Sequence, residues 1–135
     1  MKTFDVQTVE LAVPRGRAFE LIADPVQLPR WTHAFAFAGS GEALMRTPNG
    51  EVRVGLEVEA STERGTIDWR MTFPDGSVAS AFSRLVDLAE DRCLFSFVLT
   101  PPPVPLELLE GALEAQSRTL AEELVKLKGI LEGHA

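Results

Sequence analysis

The chain has 135 residues, of which 45% are hydrophobic and 24% charged, and its formal net charge is −7. This length is that of one domain with its own core, so we expect residues 1–135 to fold as a single domain. The negative charge disfavours nucleic acid as a partner, and no apolar run approaches the roughly 18 residues of a membrane span. Cys93 is the single cysteine, which excludes an internal disulfide and predicts a cytoplasmic location.

The N-terminal part of the chain predicts one strand and two short helices. Residues 3–13 alternate between polar and apolar side chains, which indicates a half-buried strand. Residues 17–23 then carry apolar side chains at helical spacing. Asp24-Pro25 ends this helix, because the residue before a proline is moved out of the helical region. Residues 26–31 are predicted to form the second short helix, with Trp31 at its end.

Residues 34–100 predict six short strands joined by tight turns. Asn-Gly and Asp-Gly are the strongest short hairpin signals, and they occur at Asn49-Gly50 and Asp75-Gly76. Consecutive hairpins form a meander in which alternate turns share one end of the sheet. The turns at 48–50 and 74–76 and the proline-rich segment 101–105 should therefore rim one end, which we call the mouth. The other predicted turns lie at 39–41, 63–65 and 90–91.

The C-terminal segment, residues 104–133, predicts a long amphipathic helix that starts at the prolines. Such a helix spans roughly 40 Å and needs a broad apolar surface to pack against. The sheet supplies that surface, so the fold class is α+β: a seven-stranded curved antiparallel sheet wrapped around the C-terminal helix. Leucines recur at three- and four-residue spacing along one side of the helix, namely Leu106, Leu109, Leu113, Leu120, Leu124, Leu127 and Leu131.

An assumed register predicts which side chains share the inner face. If Asp75-Gly76 is a two-residue loop, Phe73 pairs with Val78 and Trp69 pairs with Phe82. The face directed toward the long helix then collects Ile67, Trp69, Met71, Phe82, Arg84, Phe95, Phe97 and Leu99.

The element order and several local patterns resemble the START/SRPBCC superfamily, the helix-grip fold of birch pollen allergens, polyketide cyclases and lipid-transfer domains. The resemblance covers essentially the whole chain and implies a hydrophobic cavity between the curved sheet and the last helix. The patterns that carry it are Val9-Glu10-Leu11 through Val13-Pro14 into Phe19, Asp24-Pro25 through Leu28-Pro29-Arg30-Trp31, the two hairpins at 47–50 and 74–76, Trp69 and the leucine-rich helix.

Four polar residues are candidates for chemistry in that cavity. Arg84 can bind a carboxylate or enolate. The alternatives are that β6 has a different register, or that the guanidinium group of Arg84 lies in water. His33 can act as a general acid or base near neutral pH, or it is an ordinary loop histidine. Gln116 interrupts the leucine stripe, and Glu123 follows one heptad later. Both either orient a ligand or border the solvent.

We expect the chain to bind a small hydrophobic or aromatic molecule in this cavity. One alternative is a polyketide cyclase- or dehydratase-like enzyme, in which Arg84 polarises a carbonyl and His33 or Glu123 moves a proton. Another is an interaction module whose cavity is filled by its own aromatic side chains. No metal-ligand cluster or cofactor motif is found, and the sequence is compatible with a homodimer. The ligand-binding candidates are Trp31, His33, Trp69, Met71, Phe82, Arg84, Phe95, Phe97, Leu109, Leu113 and Gln116.

Overall fold

The computed structural model describes residues 3–47, 50–100 and 106–133, with the backbone alone for Thr47 and residues 106–112. The predicted proline start of the long helix, at 101–105, lies outside the described residues. So do Pro48 and Asn49 of the predicted hairpin and the side chains of Leu106 and Leu109.

The predicted order of one strand, two short helices, six strands and a long helix is confirmed. The second short helix is a 3-10 turn that runs into one α-helical turn. The Asp24 carboxylate starts it by accepting a hydrogen bond from the Val26 N–H at 3.1 Å. The elements are β1 (Asp5–Leu11), α1 (Arg15–Ile22), the 3-10 turn (Pro25–Gln27), α2 (Leu28–Trp31), β2 (Phe35–Ala38), β3 (Gly41–Thr47), β4 (Gly50–Ser61), β5 (Thr66–Thr72), β6 (Val78–Ala89), β7 (Arg92–Leu99) and α3 (Leu106–Glu132).

All seven strands belong to one antiparallel sheet in the order β1-β7-β6-β5-β4-β3-β2. Strands β2 to β7 form the predicted meander, and β1 joins it beside β7. Helix α3 approaches the sheet backbone most closely along β1, and it also packs against α2. Over the inner faces of β5 to β7, side chains must therefore fill the distance between sheet and helix.

The core confirms the predicted leucine stripe of α3. Leu113, Leu120, Leu124, Leu127 and Leu131 are all buried. The last four belong to one cluster with the apolar side chains of α1, α2 and the inner face of the sheet. Burying this stripe on a sheet face is what makes one long helix and seven strands a single packed unit.

The assumed register of the β5–β6 hairpin is wrong by one residue. The loop has three residues, because Phe73 and Ser77 close it: the Phe73 N–H donates to the Ser77 carbonyl at 2.9 Å. Gly76 takes the left-handed conformation, with φ of +87°, as in three-residue hairpins that end in a glycine. Asp75 supports the turn by accepting hydrogen bonds from the Ser77 N–H at 2.9 Å and hydroxyl at 2.6 Å.

This shift turns the whole of β6 over, because neighbouring residues of a strand point to opposite faces. Trp69 pairs with Ala81 instead of Phe82, and Thr66 pairs with Arg84. Phe82 and Arg84 therefore lie on the outer face of the sheet. The inner face of β6 carries Ala79, Ala81, Ser83 and Leu85.

Replacing Gly76 by Ala should lower the free energy of unfolding by about 1–2 kcal/mol, because only glycine adopts positive φ without strain. Gly129 provides the matched control: it lies inside α3, where Ala is preferred by roughly 0.5–1 kcal/mol. A methyl group at either position meets no atom within 4 Å, so the opposite signs isolate the backbone conformation. Urea unfolding of the two variants measures both changes. A loss of stability in both, or in neither, would contradict the assigned loop.

Candidate functional site

Four aromatic side chains fill the space between the sheet and the helices. Trp31 comes from α2, Trp69 from β5, and Phe95 and Phe97 from β7. The Trp31 ring meets the rings of Trp69 and Phe95 edge-on, at centroid distances of 6.5 and 6.4 Å. Trp69 stacks on Phe97 at 5.6 Å, and Phe97 meets Phe95 at 6.2 Å. These distances lie within the range of favourable aromatic contacts, so the four rings form one continuous apolar wall.

The two tryptophans of this wall carry buried donors without acceptors. Trp31 is 2% and Trp69 5% exposed, and neither indole Nε1 has a hydrogen-bond partner among the residues that the structure describes. An indole nitrogen can only donate. Leaving a buried donor unpaired costs about 1–3 kcal/mol, so each group is a source of binding energy for any acceptor that reaches it.

Small side chains lie in the middle of the inner face. One row of paired residues crosses the sheet from β1 to β4 and consists of Asp5, Leu99, Ala81, Trp69 and Val58. The small member, Ala81, stands between the large side chains of Leu99 and Trp69. Its neighbour on the same face of β6 toward the mouth is another alanine, at position 79. We call the surface over Ala81 and this second alanine the hollow, after its small side chains.

The side chains around the hollow are apolar and partly open. Met71 pairs with Ala79, and Met71, Ala79 and Leu99 are each half-buried. On the far side of the hollow from the mouth, the Ser83 hydroxyl is already engaged, since it donates to the Ile67 carbonyl at 2.6 Å. The hollow is therefore an apolar surface near the predicted mouth, with exposure left over after α3 has packed.

A polar cluster joins β1 to α3 across the interior. The Ser117 hydroxyl donates to Asp5 Oδ2 at 2.5 Å, and Gln7 Nε2 donates to the same oxygen at 2.8 Å. Gln7 Nε2 also lies 2.7 Å from the Ser117 carbonyl oxygen. Asp5 is 7% exposed. Because Asp5 belongs to the same row as Ala81, three strand spacings or about 14 Å from Trp69 along the sheet, this cluster forms the polar side of the site.

Several solved structures share this architecture at low sequence identity. A START superfamily protein from Mycobacterium smegmatis gives a TM-score of 0.74 at 16% identity, over 99% of this chain and 100% of that chain. The Zhui aromatase/cyclase from Streptomyces sp. R1128 gives 0.64 at 15% identity, over 97% and 92%. The di-domain ARO/CYC BexL from the BE-7585A biosynthetic pathway gives 0.72 at 14% identity, over 98% of this chain and 47% of that one. No protein-family model and no curated protein matches the sequence.

The chain has the START-type helix-grip fold. Identities of 14–16% establish the fold alone, since unrelated activities share folds. The predicted seven-stranded curved sheet, the long C-terminal helix and the two short helices after β1 are therefore confirmed. The activities of the aromatase/cyclases are not transferred by this likeness.

The START-type fold brings only part of the predicted site together. Trp31, Trp69, Phe95, Phe97 and Leu113 are buried, and Met71 is half-buried on the same inner face. Whether these residues bind a ligand stays a prediction, and the side chain of the candidate Leu109 lies outside the described residues.

Besides His33, whose side chain is exposed, three predicted site residues lie elsewhere. Phe82 is 44% exposed on the outer face, where it pairs with Val98 of β7. Arg84 is exposed on the same face, so a mechanism in which it polarises a carbonyl inside the cavity is wrong. Gln116 is exposed as well. The residue that interrupts the leucine stripe is Ser117, which lies four residues after Leu113 and therefore on the same side of the helix.

The sequence contains a signal for the polar cluster that the predicted site residues do not include. Counting back from Leu11 in steps of two gives Val9, Gln7 and Asp5, so both polar residues occupy core-facing positions of β1. A polar residue at a core-facing position of a strand is a signal of a buried hydrogen-bond network. Together with Ser117 on the core side of α3, this signal locates the cluster.

The backbone of His33 makes two hydrogen bonds to charged side chains, while its own side chain is exposed. Its N–H donates to Glu123 Oε2 at 2.6 Å, and its carbonyl accepts from Arg46 Nη1 at 3.2 Å. Glu123 is half-buried on α3, and burial raises the pKa of its carboxyl above the ordinary value of 4.5, although the His33 N–H partly opposes this shift. The carboxylate of Glu123 therefore joins α3 to the segment that follows Trp31.

Open grooves also occur at the surface of the described part of the chain. One, of about 340 Å³, runs between α1, the 3-10 turn and the end of α3, and its lining includes Arg17, Glu20, Asp24 and Arg30. Another, of about 350 Å³, is lined by small and apolar residues at the β2–β3 turn and on β4, among them Val58. Neither Ala79 and Ala81 of the hollow nor Trp31 and Trp69 line these two grooves.

Metal and membrane sites are not indicated in the part of the chain that the structure describes. Its His, Cys, Asp and Glu residues form no group of three placed to hold a metal ion. Its helices also lack the combination of length and apolar character that a bilayer span requires.

Glu123→Gln should make the free energy of unfolding less sensitive to pH than in the wild type. A carboxyl whose pKa is raised in the folded state contributes stability below its unfolded pKa, and this contribution is lost as pH rises through the raised value. The wild type should therefore lose stability relative to the variant between about pH 4.5 and neutrality. The variant's amide oxygen can still accept from the His33 N–H.

Urea unfolding at a series of pH values measures this difference. Glu122→Gln, which changes an exposed residue of the same helix turn, controls for the loss of one negative charge. If the two variants show the same pH dependence of stability, the burial of Glu123 has no energetic consequence.

Proposed function

We propose that the protein binds a small apolar molecule between the inner face of the sheet and α3, at the hollow over Ala79 and Ala81. The observation that carries this proposal is the reversal of β6. It places two alanines where the large side chains of Trp69, Met71 and Leu99 surround them. A site with apolar walls and few polar groups is typical of small-molecule binding.

The surroundings of the hollow support a molecule with an apolar body. Its walls are aromatic or aliphatic, and the half-buried state of Met71 and Leu99 leaves apolar area to be covered. Covering apolar surface is favourable by about 25 cal/mol per Å². The cluster of Asp5, Gln7 and Ser117 supplies polar groups on one side only, so the site is suited to a ligand with distinct apolar and polar ends.

A cyclase- or dehydratase-like reaction is the second candidate function. The observation that favours it is the carboxyl group of Asp5 on the inner face, 7% exposed and held by the Ser117 hydroxyl and Gln7 amide. A positioned carboxylate can remove a proton from carbon next to a carbonyl group. In this second proposal Asp5 takes the role that Arg84, His33 and Glu123 were predicted to share.

Ala81→Leu should weaken the binding of ethylnaphthalene by about tenfold or more, because the added side chain occupies the hollow. Ser80→Leu is the matched control, since Ser80 pairs with Arg70 on the opposite face of the same strand. It should leave the affinity within about twofold, as expected for a change remote from the site. Fluorescence titration of the probe measures the affinity, and urea unfolding checks that both variants fold.

The outcomes separate the candidate functions. If the wild type does not bind the probe, the proposal fails and an interaction module with a self-filled interior is favoured. Equal weakening by both substitutions would place the probe outside the hollow. Incubation with a linear polyketone, followed by mass spectrometry, tests the enzyme, since cyclisation with dehydration removes one water. An unchanged mass together with an unchanged chromatographic retention time would eliminate that second candidate for this substrate class.

A further inference from the structure

Resting on the proposed function, we propose that the indole N–H groups of Trp31 and Trp69 are the hydrogen-bond donors of the binding site. The ligand they select is a neutral apolar molecule that carries a carbonyl oxygen, such as an aromatic ketone. Recognition of the oxygen by these two donors is separate from burial of the apolar body in the hollow.

The state of the two indole nitrogens carries this inference. Both side chains are more than nine-tenths buried, and neither nitrogen has an acceptor in the described part of the chain. Buried donors in folded proteins are nearly always paired. Here two unpaired donors come from neighbouring rings, 6.5 Å apart between centroids, although one belongs to α2 and the other to β5. Such a pair is costly unless an acceptor from outside the chain completes it.

The position of Trp69 connects the donors to the hollow. Trp69 and Ala81 are directly paired residues of β5 and β6, so the indole borders the hollow on one side. Trp31 contacts the same indole edge-on. A molecule whose apolar body covers Ala81 therefore has Trp69 as its immediate neighbour, and Trp31 is in contact with Trp69.

The surroundings of the donors favour a neutral acceptor over a carboxylate. Trp69 stacks on Phe97, and its paired neighbours on the inner face are Val58 and Ala81. None of these can neutralise a negative charge, and the predicted cation Arg84 lies on the outer face. An ionised group taken into apolar surroundings without a partner is strongly disfavoured. A carbonyl oxygen accepts hydrogen bonds without that cost.

A matched pair of probes tests the inference. Acetylnaphthalene and ethylnaphthalene share an aromatic body, and only the first carries a carbonyl oxygen. The chain contains two tryptophans, so proton–nitrogen NMR of the labelled protein resolves the two indole groups without further assignment of the protein. The ketone should bind about tenfold or more tightly than the hydrocarbon, as expected for two additional hydrogen bonds. It should also move both indole proton resonances downfield, while the hydrocarbon should not.

Trp31→Phe and Trp69→Phe identify the donors, because each keeps an aromatic ring and removes the N–H. Each variant should lose several-fold of the preference for the ketone while it still binds the hydrocarbon. Leu94→Ala is the control. Leu94 is half-buried on the outer face of β7, so this variant should keep the preference for the ketone. If a tryptophan variant fails to fold, the wild-type NMR titration alone decides the assignment.

Failure of this inference differs from failure of the proposed function. Equal affinity for the two probes, with both indole resonances unmoved by the ketone, would overturn the donor pair and leave the hollow as a binding site. Downfield shifts with both probes would show that the resonances report ring contacts and not hydrogen bonds, and would also overturn it. Absence of binding by either probe would overturn the proposed function and this inference together.

Discussion

The loop between β5 and β6 sets the register on which the interior depends. Gly76 adopts a positive φ and allows a three-residue loop, which fixes Trp69 opposite Ala81. With a two-residue loop, Phe82 and Arg84 would point toward α3, and the interior would contain a further aromatic ring and a cation. The observed loop instead places alanines there. A single extra residue in a turn thus decides whether the inner face has a hollow.

Long-range contacts then build the walls around that hollow. The Trp31 indole comes from α2 and reaches the aromatic side chains of β5 and β7, while Glu123 of α3 accepts from the N–H of His33, just beyond α2. The same helix contacts β1 through Ser117, whose hydroxyl joins Asp5. Helix α3 therefore joins α2 to β1, the edge strand of the sheet next to β7. Its leucine stripe packs on the core, and its two polar residues, Ser117 and Glu123, join it to β1 and to the segment after α2.

The distribution of polar groups gives the interior a defined chemistry. Toward β1 there is a carboxyl group held by a hydroxyl and an amide. Toward β5 there are indole donors in aromatic surroundings. Between them lie alanines and leucine. Two polar regions of opposite hydrogen-bonding character, separated by an apolar floor, favour an oriented ligand over a uniformly apolar one. The 14–16% identity to solved START-type structures leaves this chemistry to be read from the chain itself.

Periodicity was sufficient for the elements and for the leucine stripe, because helix and strand repeats are local properties of the chain. It also placed Trp69, Met71, Phe95 and Phe97 on one face, because the one-residue shift between β5 and β6 is offset by the irregularity between Asp87 and Ala89, where β6 pairs with β7. It was insufficient for β6. Alternation defines two faces of a strand but does not state which one is buried, and β6 carries Val78, Phe82 and Val86 on the exposed side. The face was therefore taken from an assumed two-residue loop at Asp75-Gly76, and the three-residue loop reverses it.

The sequence by itself determined the fold class, the order of the elements and most of the aromatic wall, because these follow from spacing, turn residues and side-chain size. Only the tertiary structure decided the register across the Asp75-Gly76 loop and the exposure of Arg84. It also decided the meeting of Asp5 with Ser117 and of Trp31 with Trp69. These partners are far apart in the chain, and their contacts depend on how the sheet curves and how α3 crosses it. Local preferences do not contain that information.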